Sequence, residues 1–219
     1  VRGAAGDLDQ LTLMAIVLSR RPGGAGGGGA PSGPAGGILG GTYPNPTFAT
    51  DVAAPFVLAE TTVPAGGAAN IDFQNINQTY RHLRIMLLGR AEAATANMQM
   101  TFNNDTGNNY DWELVAMSTA VGAAEGVGVA FVRVGSLPGS SAPASVFGST
   151  VMNIPFYRAA THKTCSYLQE LKLASSTTNI FTVPGSGLWR NTAAITRITL
   201  APSTGDFNEG TLAVLYGSA

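Results

Sequence analysis

The sequence predicts an all-β chain: an antiparallel β-sandwich of jelly-roll type behind an extended amino-terminal arm rich in glycine and proline. Three observations carry this expectation. From residue 54 onward, short apolar stretches alternate with polar residues at the period of two that marks a half-buried strand. Clusters of Gly, Pro, Asn, Asp and Ser separate them, as at Asn103–Asn109 and Pro202–Gly210. No long pattern of period 3.6 interrupts the series, and strands spaced by turn signals indicate a sandwich or jelly roll.

Composition narrows the function classes. Of 219 residues, 45% are hydrophobic, which is ordinary, while 11% are charged, against about 25% in typical globular proteins. Such a surface is either covered by neutral polar groups or buried against other subunits. The net charge of −1 provides no basic field of the kind nucleic-acid binding demands, so no nucleic-acid partner is expected. Cys165 is the single cysteine. It lies in an alternating segment, where a buried thiol acting as a small apolar residue is expected, and it fits synthesis in a reducing cytoplasm.

Three zones follow one another. Residues 1–21 carry Leu8, Leu11, Met14 and Leu18 at helical spacing, but Leu13, Ile16 and Val17 fill the other faces. A short segment apolar all round has to be buried. A particle-attachment or oligomerisation segment is the preferred reading over an element of the main core. The apolar run Leu11–Leu18 falls well short of the roughly 20 residues of a membrane span, so no membrane insertion is expected. Arg20 and Arg21 follow the run, whereas a secretion signal carries its charge in front.

Residues 22–53 are dominated by Gly and Pro, which disfavour helices and central strands. Gly33 and Gly36 are three apart, but Leu39 breaks the next step, so a collagen-like helix is not supported. Composition leaves open a flexible linker and an extended stem. Residues 54–219 form the β domain. Its expected strands lie in 55–63, 69–73, 82–92, 97–103, 126–135, 145–155, 163–173, 194–200 and 211–217.

Chemistry-bearing residues are sparse. His82 and His162 show neither His-x-His nor HExxH spacing and read as surface or strand-edge residues. Gly185-Ser186-Gly187 lacks the GxSxG spacing of a nucleophile elbow and reads as a turn. Asp105 and Asp111, with Asn103, Asn104, Asn108 and Asn109 beside them, are the one metal candidate, because hard cations want several oxygens. The same residues suit the left-handed positions of a hairpin turn, which is preferred. Neither a metal nor another cofactor is expected. Glu113 and Glu170 are an example of two carboxylates that folding would have to bring together for glycoside hydrolysis. With 13 acidic residues and no supporting motif, no enzyme is expected. Tyr110 and Trp112, beside the Asn-rich turn, are the candidates for surface recognition, since such rings stack on sugars and anchor protein contacts.

Two sets of residues carry a resemblance. The stretch AGGILGGTYPNPTFA, residues 35–49, resembles a motif of tailed-bacteriophage fibre and receptor-binding proteins. Gly36, Gly37, Leu39, Gly41, Thr42, Tyr43, Pro44, Asn45, Pro46 and Ala49 match it, and Ile38 stands where a polar residue is common. The segments 78–85, 102–112 and 187–200, with the closing Phe207, Gly210, Thr211 and Leu215-Tyr216-Gly217, resemble a β domain recurring in phage virion proteins. The resemblance implies a homotrimer located in the virion and assembled in the host cytoplasm, with the motif joining an attachment region to a distal β domain. It also implies contact with other virion proteins, at the tail, near the portal or on the capsid. It brings no catalytic residues.

Two functions are expected from it. The first is a tail or head fibre displaying its β domain for adsorption to a host-surface glycan or protein. The second is a capsid decoration or cement protein whose arm clamps capsid subunits. In either case, deleting residues 1–21 leaves the domain from residue 54 folded and abolishes incorporation into particles, as read by circular dichroism and particle purification. Unfolding of that domain would instead place the segment in its core.

Overall fold

The computed structural model describes residues 33–34, 39–40, 42–43, 47–48, 55–174 and 180–219. The chain divides into a unit of residues 1–49 and a unit of residues 50–219. In the first, β1 (Gly33–Pro34) pairs with β3 (Thr42–Tyr43), and β2 (Leu39–Gly40) pairs with β4 (Thr47–Phe48), all antiparallel. Each of these strands has two residues, in keeping with what Gly and Pro permit. The motif's Thr42 and Tyr43 lie in β3, while Gly41, Pro44, Asn45 and Pro46 fall outside the described residues. So do Leu8, Leu11, Leu13, Met14, Ile16, Val17 and Leu18.

The second unit is built from β5 (Phe56–Thr62), β6 (Ile71–Phe73), β7 (His82–Gly89), β8 (Thr95–Phe102), β9 (Tyr110–Met117) and β10 (Val121–Val129). It continues with β11 (Val132–Pro138), β12 (Gly148–Ile154), β13 (Lys163–Lys172), β14 (Ile180–Trp189), β15 (Ile198–Pro202) and β16 (Leu212–Ser218). One sheet has eight strands in the order β10-β9-β14-β13-β12-β7-β16-β5. The other has four, in the order β11-β8-β15-β6. The orders β5-β16-β7-β12 within one sheet and β6-β15-β8-β11 in the other, with the chain crossing between sheets, are those of a jelly roll, and β11 packs across onto β14, β13 and β9. Two further antiparallel pairs, β9 with β10 and β13 with β14, widen the first sheet beyond that framework.

Alternation makes the core. In β7, Leu83, Ile85 and Leu87 point inward, and β12 adds Met152 and Ile154. They meet Met98, Met100 and Phe102 of β8, Ile198 and Leu200 of β15, and Ile71 and Phe73 of β6. Burying each large apolar side chain contributes roughly 1.5–3 kcal/mol against the entropy of ordering the chain.

Two sequence expectations are corrected. Residues 126–135 are not one strand. β10 ends at Val129, and the chain crosses to the other sheet as β11. Gly128, at a φ of 62°, sits in the register shift between Val127 and Val129, where the left-handed region is open to glycine. The second correction concerns Gly185-Ser186-Gly187, which lies within β14. Its glycines make room for neighbours: a Cβ at Gly185 would come within 2.2 Å of the Tyr167 ring, and one at Gly187 within 2.5 Å of Val132. The strands β9 and β14 went unforeseen, because acidic residues, glycine and proline dilute their alternation.

Buried cations tie down both ends of the sandwich. Arg90 is 5% exposed. Its Nη1 donates to the carbonyls of Pro143 (2.9 Å) and Val146 (2.8 Å), and its Nη2 to those of Gly139 (2.6 Å) and Ala142 (3.3 Å). At the other end, Lys163 Nζ donates to the carbonyls of Ala159 (2.6 Å), Thr161 (2.5 Å) and Thr192 (3.3 Å). Burial pushes the Lys163 pKa down. Among the described residues neither cation has a carboxylate partner, so carbonyl dipoles alone replace the lost water. Replacing Arg90 by Met therefore lowers unfolding free energy by about 2–4 kcal/mol in urea titration, because it strands buried carbonyls. A change below about 0.5 kcal/mol would mean that the 139–146 loop holds itself.

Candidate interaction surface

The same alternation that fills the core sets a second pattern on the outside of the eight-stranded sheet. Cross-strand register places Ala123 (β10) opposite Val115 (β9), and Leu168 (β13) opposite both Pro184 (β14) and Val151 (β12). Val151 is opposite Met86 (β7), and Met86 opposite Val214 (β16). Pro184 falls opposite Val115, between the pairs Thr182–Met117 and Gly185–Leu114. One apolar row therefore crosses seven strands on the solvent side, flanked by Leu88 and Leu212 and by Met117 and Val121. Met86 is 45%, Leu168 47% and Val121 73% exposed. Single exposed apolar side chains are ordinary, whereas a row continuous across strands makes this face a candidate interaction surface.

Two residues along the strands, the next outward row is polar. It runs Glu125, Glu113, Ser186, Ser166, Asn153, Arg84 and Tyr216. Asp111, Glu113, Glu125, Ser186 and Leu188 line a shallow hollow of about 340 Å³ at the extension end of this face. Glu113 and Glu125 stand directly opposite each other, an arrangement that like charges disfavour.

Several expected site residues lie elsewhere. Tyr110 is fully buried, its ring stacked with Trp189 at 6.4 Å, so it is a core residue and not a recognition residue. Its hydroxyl accepts from Phe102 N and donates toward the Asp105 carbonyl, and burial raises its pKa. Trp112 is half-buried and packs over Gly126, where a Cβ would come within 2.4 Å of its ring. The Arg133 guanidinium carbon lies 5.6 Å from the ring centre. Register thus turns both aromatic rings inward.

Asp105 and Asp111 also part company. Asp105 accepts from Trp189 Nε1 (2.7 Å), Gly107 N (2.9 Å) and Asn109 Nδ2 (3.0 Å). Asp111 accepts from Gly128 N (2.8 Å) and lies 3.5 Å from Arg190. Asn103 and Asn104 take left-handed φ values of 51° and 56°, so the segment is built as a turn. Glu113 and Glu170 sit two strands apart and four residues offset along the ladder. Strand geometry separates them by roughly 17 Å, against at most about 9.5 Å in glycosidase pairs. Cys165 is buried, with its pKa pushed up to about 12 by desolvation, and acts as a small core residue. His162 is exposed just before β13, while His82 opens β7.

One group escaped sequence reasoning. Phe156, in the turn after β12, is 57% exposed with a φ of 49°, an uncommon conformation for a bulky residue. Its ring meets His82 edge-on at 4.7 Å, and it lines a hollow of about 340 Å³ with Arg81, Arg158 and Ala159. No residue type at 155–159 announces a left-handed turn, so only the backbone reveals it. Among the described residues no helix is long and apolar enough to cross a membrane.

Comparison with protein-family models, curated proteins and solved structures finds no match for this chain.

Burial alone pushes the Asp105 carboxyl up, but the bonds from Trp189, Gly107 and Asn109 outweigh it and hold the pKa below the ordinary carboxylate value. The Arg197 guanidinium, at 2.6–2.7 Å, does the same for Asp72, with Gln74 and Thr199 assisting. Stability from such groups is complete above the unfolded-state pKa of about 3.9 and is lost as pH falls through the lower folded value. Asp105→Asn consequently weakens the fold at pH 7 and flattens its decline below about pH 4 in thermal melts. An unchanged acid limb would show that the charge at Asp105 contributes nothing.

Proposed function

We propose that this chain is a non-enzymatic structural protein of a tailed-bacteriophage particle, a fibre-type subunit that assembles as a homotrimer and displays its jelly roll outward. The observation that carries this reading is the combination of the GTYPNP-type motif at residues 41–46 with a jelly roll whose wider sheet turns an apolar row to solvent. The motif supplies the likeness to fibre proteins. The fold adds support only by analogy, since jelly rolls recur in capsid and lectin domains. An exposed apolar sheet face, in a chain with 11% charged residues, suits a subunit that lives against other subunits.

For adsorption to a host surface, Phe156 with Arg81 and Arg158 replaces Tyr110 and Trp112 as the candidate contact. An exposed ring beside two guanidinium groups suits a sugar face or an anionic surface. A capsid decoration protein is the second reading, favoured by the breadth of the eight-stranded face, which offers a wide contact to a shell.

Cryo-electron microscopy of intact particles, with copies counted, tests the proposal. Density at the tail or in sparse projections, at a few to a few tens of copies, is the expected result. A regular tiling of the capsid selects decoration instead, and purified particles that lack the chain altogether would sink both readings.

A further inference from the structure

We propose that the outer face of the eight-stranded sheet is covered by a second copy of this chain, with Arg84 of one copy set against the Glu113–Glu125 pair of the next. This deepens the oligomeric part of the reading above and rests on it. Size is the first ground. The six strands from β10 to β7 span about 24 Å and a seven-residue strand about 24 Å, so this part of the face offers about 580 Å². Two copies together then cover roughly 1,150 Å², above the roughly 1,000 Å² expected of a specific interface. The residues that fill the face's middle row are Val115, Pro184, Leu168, Val151, Met86 and Val214.

Charge complementarity within one row is the second ground. Glu113 and Glu125 stand at the β9–β10 end, and Arg84 stands on β7, four strands away along the same row. All three side chains are exposed, and none has an ion pair among the described residues. Two directly opposed carboxylates repel until a cation arrives. A rotation axis parallel to the strands preserves height along the strand and exchanges the left and right halves of the face. A two-fold axis over the β14–β13 boundary then brings the neighbour's Arg84 opposite Glu113 and Glu125, sets apolar row against apolar row, and covers the strands from β10 to β7. A three-fold axis parallel to the strands likewise sets the Glu113–Glu125 end of one copy toward the Arg84 side of the next, with each face shared between two neighbours. Other charges do not disturb the match: Asp111 faces Arg190, Glu60 is at the β5 edge, and Glu170 and Lys172 lie two apart on β13.

Coverage by the chain's own apolar segment is less suited to the face. Leu11–Leu18 has eight residues, a single ribbon of at most about 28 Å even fully extended. It leaves most of an eight-stranded face in water.

The test uses the full chain in sedimentation velocity, with three variants: Arg84→Glu, the double change Glu113→Arg/Glu125→Arg, and all three changes together. Circular dichroism checks that each is folded. The native chain is expected to associate, and each of the first two variants to dissociate at about tenfold higher concentration. The combined variant is expected to return to within about threefold of the native chain, since only a direct pairing is restored by reversal. A native chain that stays monomeric at all concentrations overturns this inference together with the oligomeric reading. An oligomer indifferent to the three variants overturns the surface alone, as does one lost only on deleting residues 1–21.

Discussion

Everything on the outside of this molecule follows from one constraint on the inside: strand side chains alternate, and the ladder has a single register. Burying Leu83, Ile85 and Leu87 obliges Arg84, Met86 and Leu88 to face outward. The same holds across β12, β13 and β16, so the core and the solvent-side rows are two sides of one choice. A one-residue slip in any strand would exchange them. Register is therefore held by the cost of moving a whole hydrophobic set into water, and the outer rows inherit that precision.

Widening the jelly roll brings a packing problem, which small residues resolve. The four-stranded sheet faces a sheet twice its width. Glycines on β10 and β14 let Trp112, Tyr167 and Val132 settle against bare backbone. Ring-on-glycine contacts recover area that the missing side chains give up. Such glycines weaken a strand taken alone, but here they allow the added strands to be covered from within.

At the ends of the sandwich, loops without ladders still need hydrogen-bond partners. Arg90 and Lys163 meet that need by directing buried donors at carbonyls. A buried cation is costly unless fully ligated by polar groups. These two side chains therefore fix loop positions sharply, and with them the turn that carries Phe156 beside Lys163's carbonyl partner Ala159.

The sequence by itself determined the class of fold, because period-two alternation and turn-forming clusters are local properties. Strands β5, β7, β12, β13 and β16 and the Asn103–Asn109 turn were legible in it for that reason. Composition also marks where the glycine- and proline-rich residues give way to strand-like ones. Tertiary structure decided the rest. Only packing could turn Tyr110 and Trp112 inward, because both aromatic side chains serve core and surface equally well. Only strand order could set Arg84 in one row with Glu113 and Glu125, residues far apart in the chain. Alternation says which side chains share a face of one strand; which strands lie side by side depends on long-range contacts that no local pattern encodes.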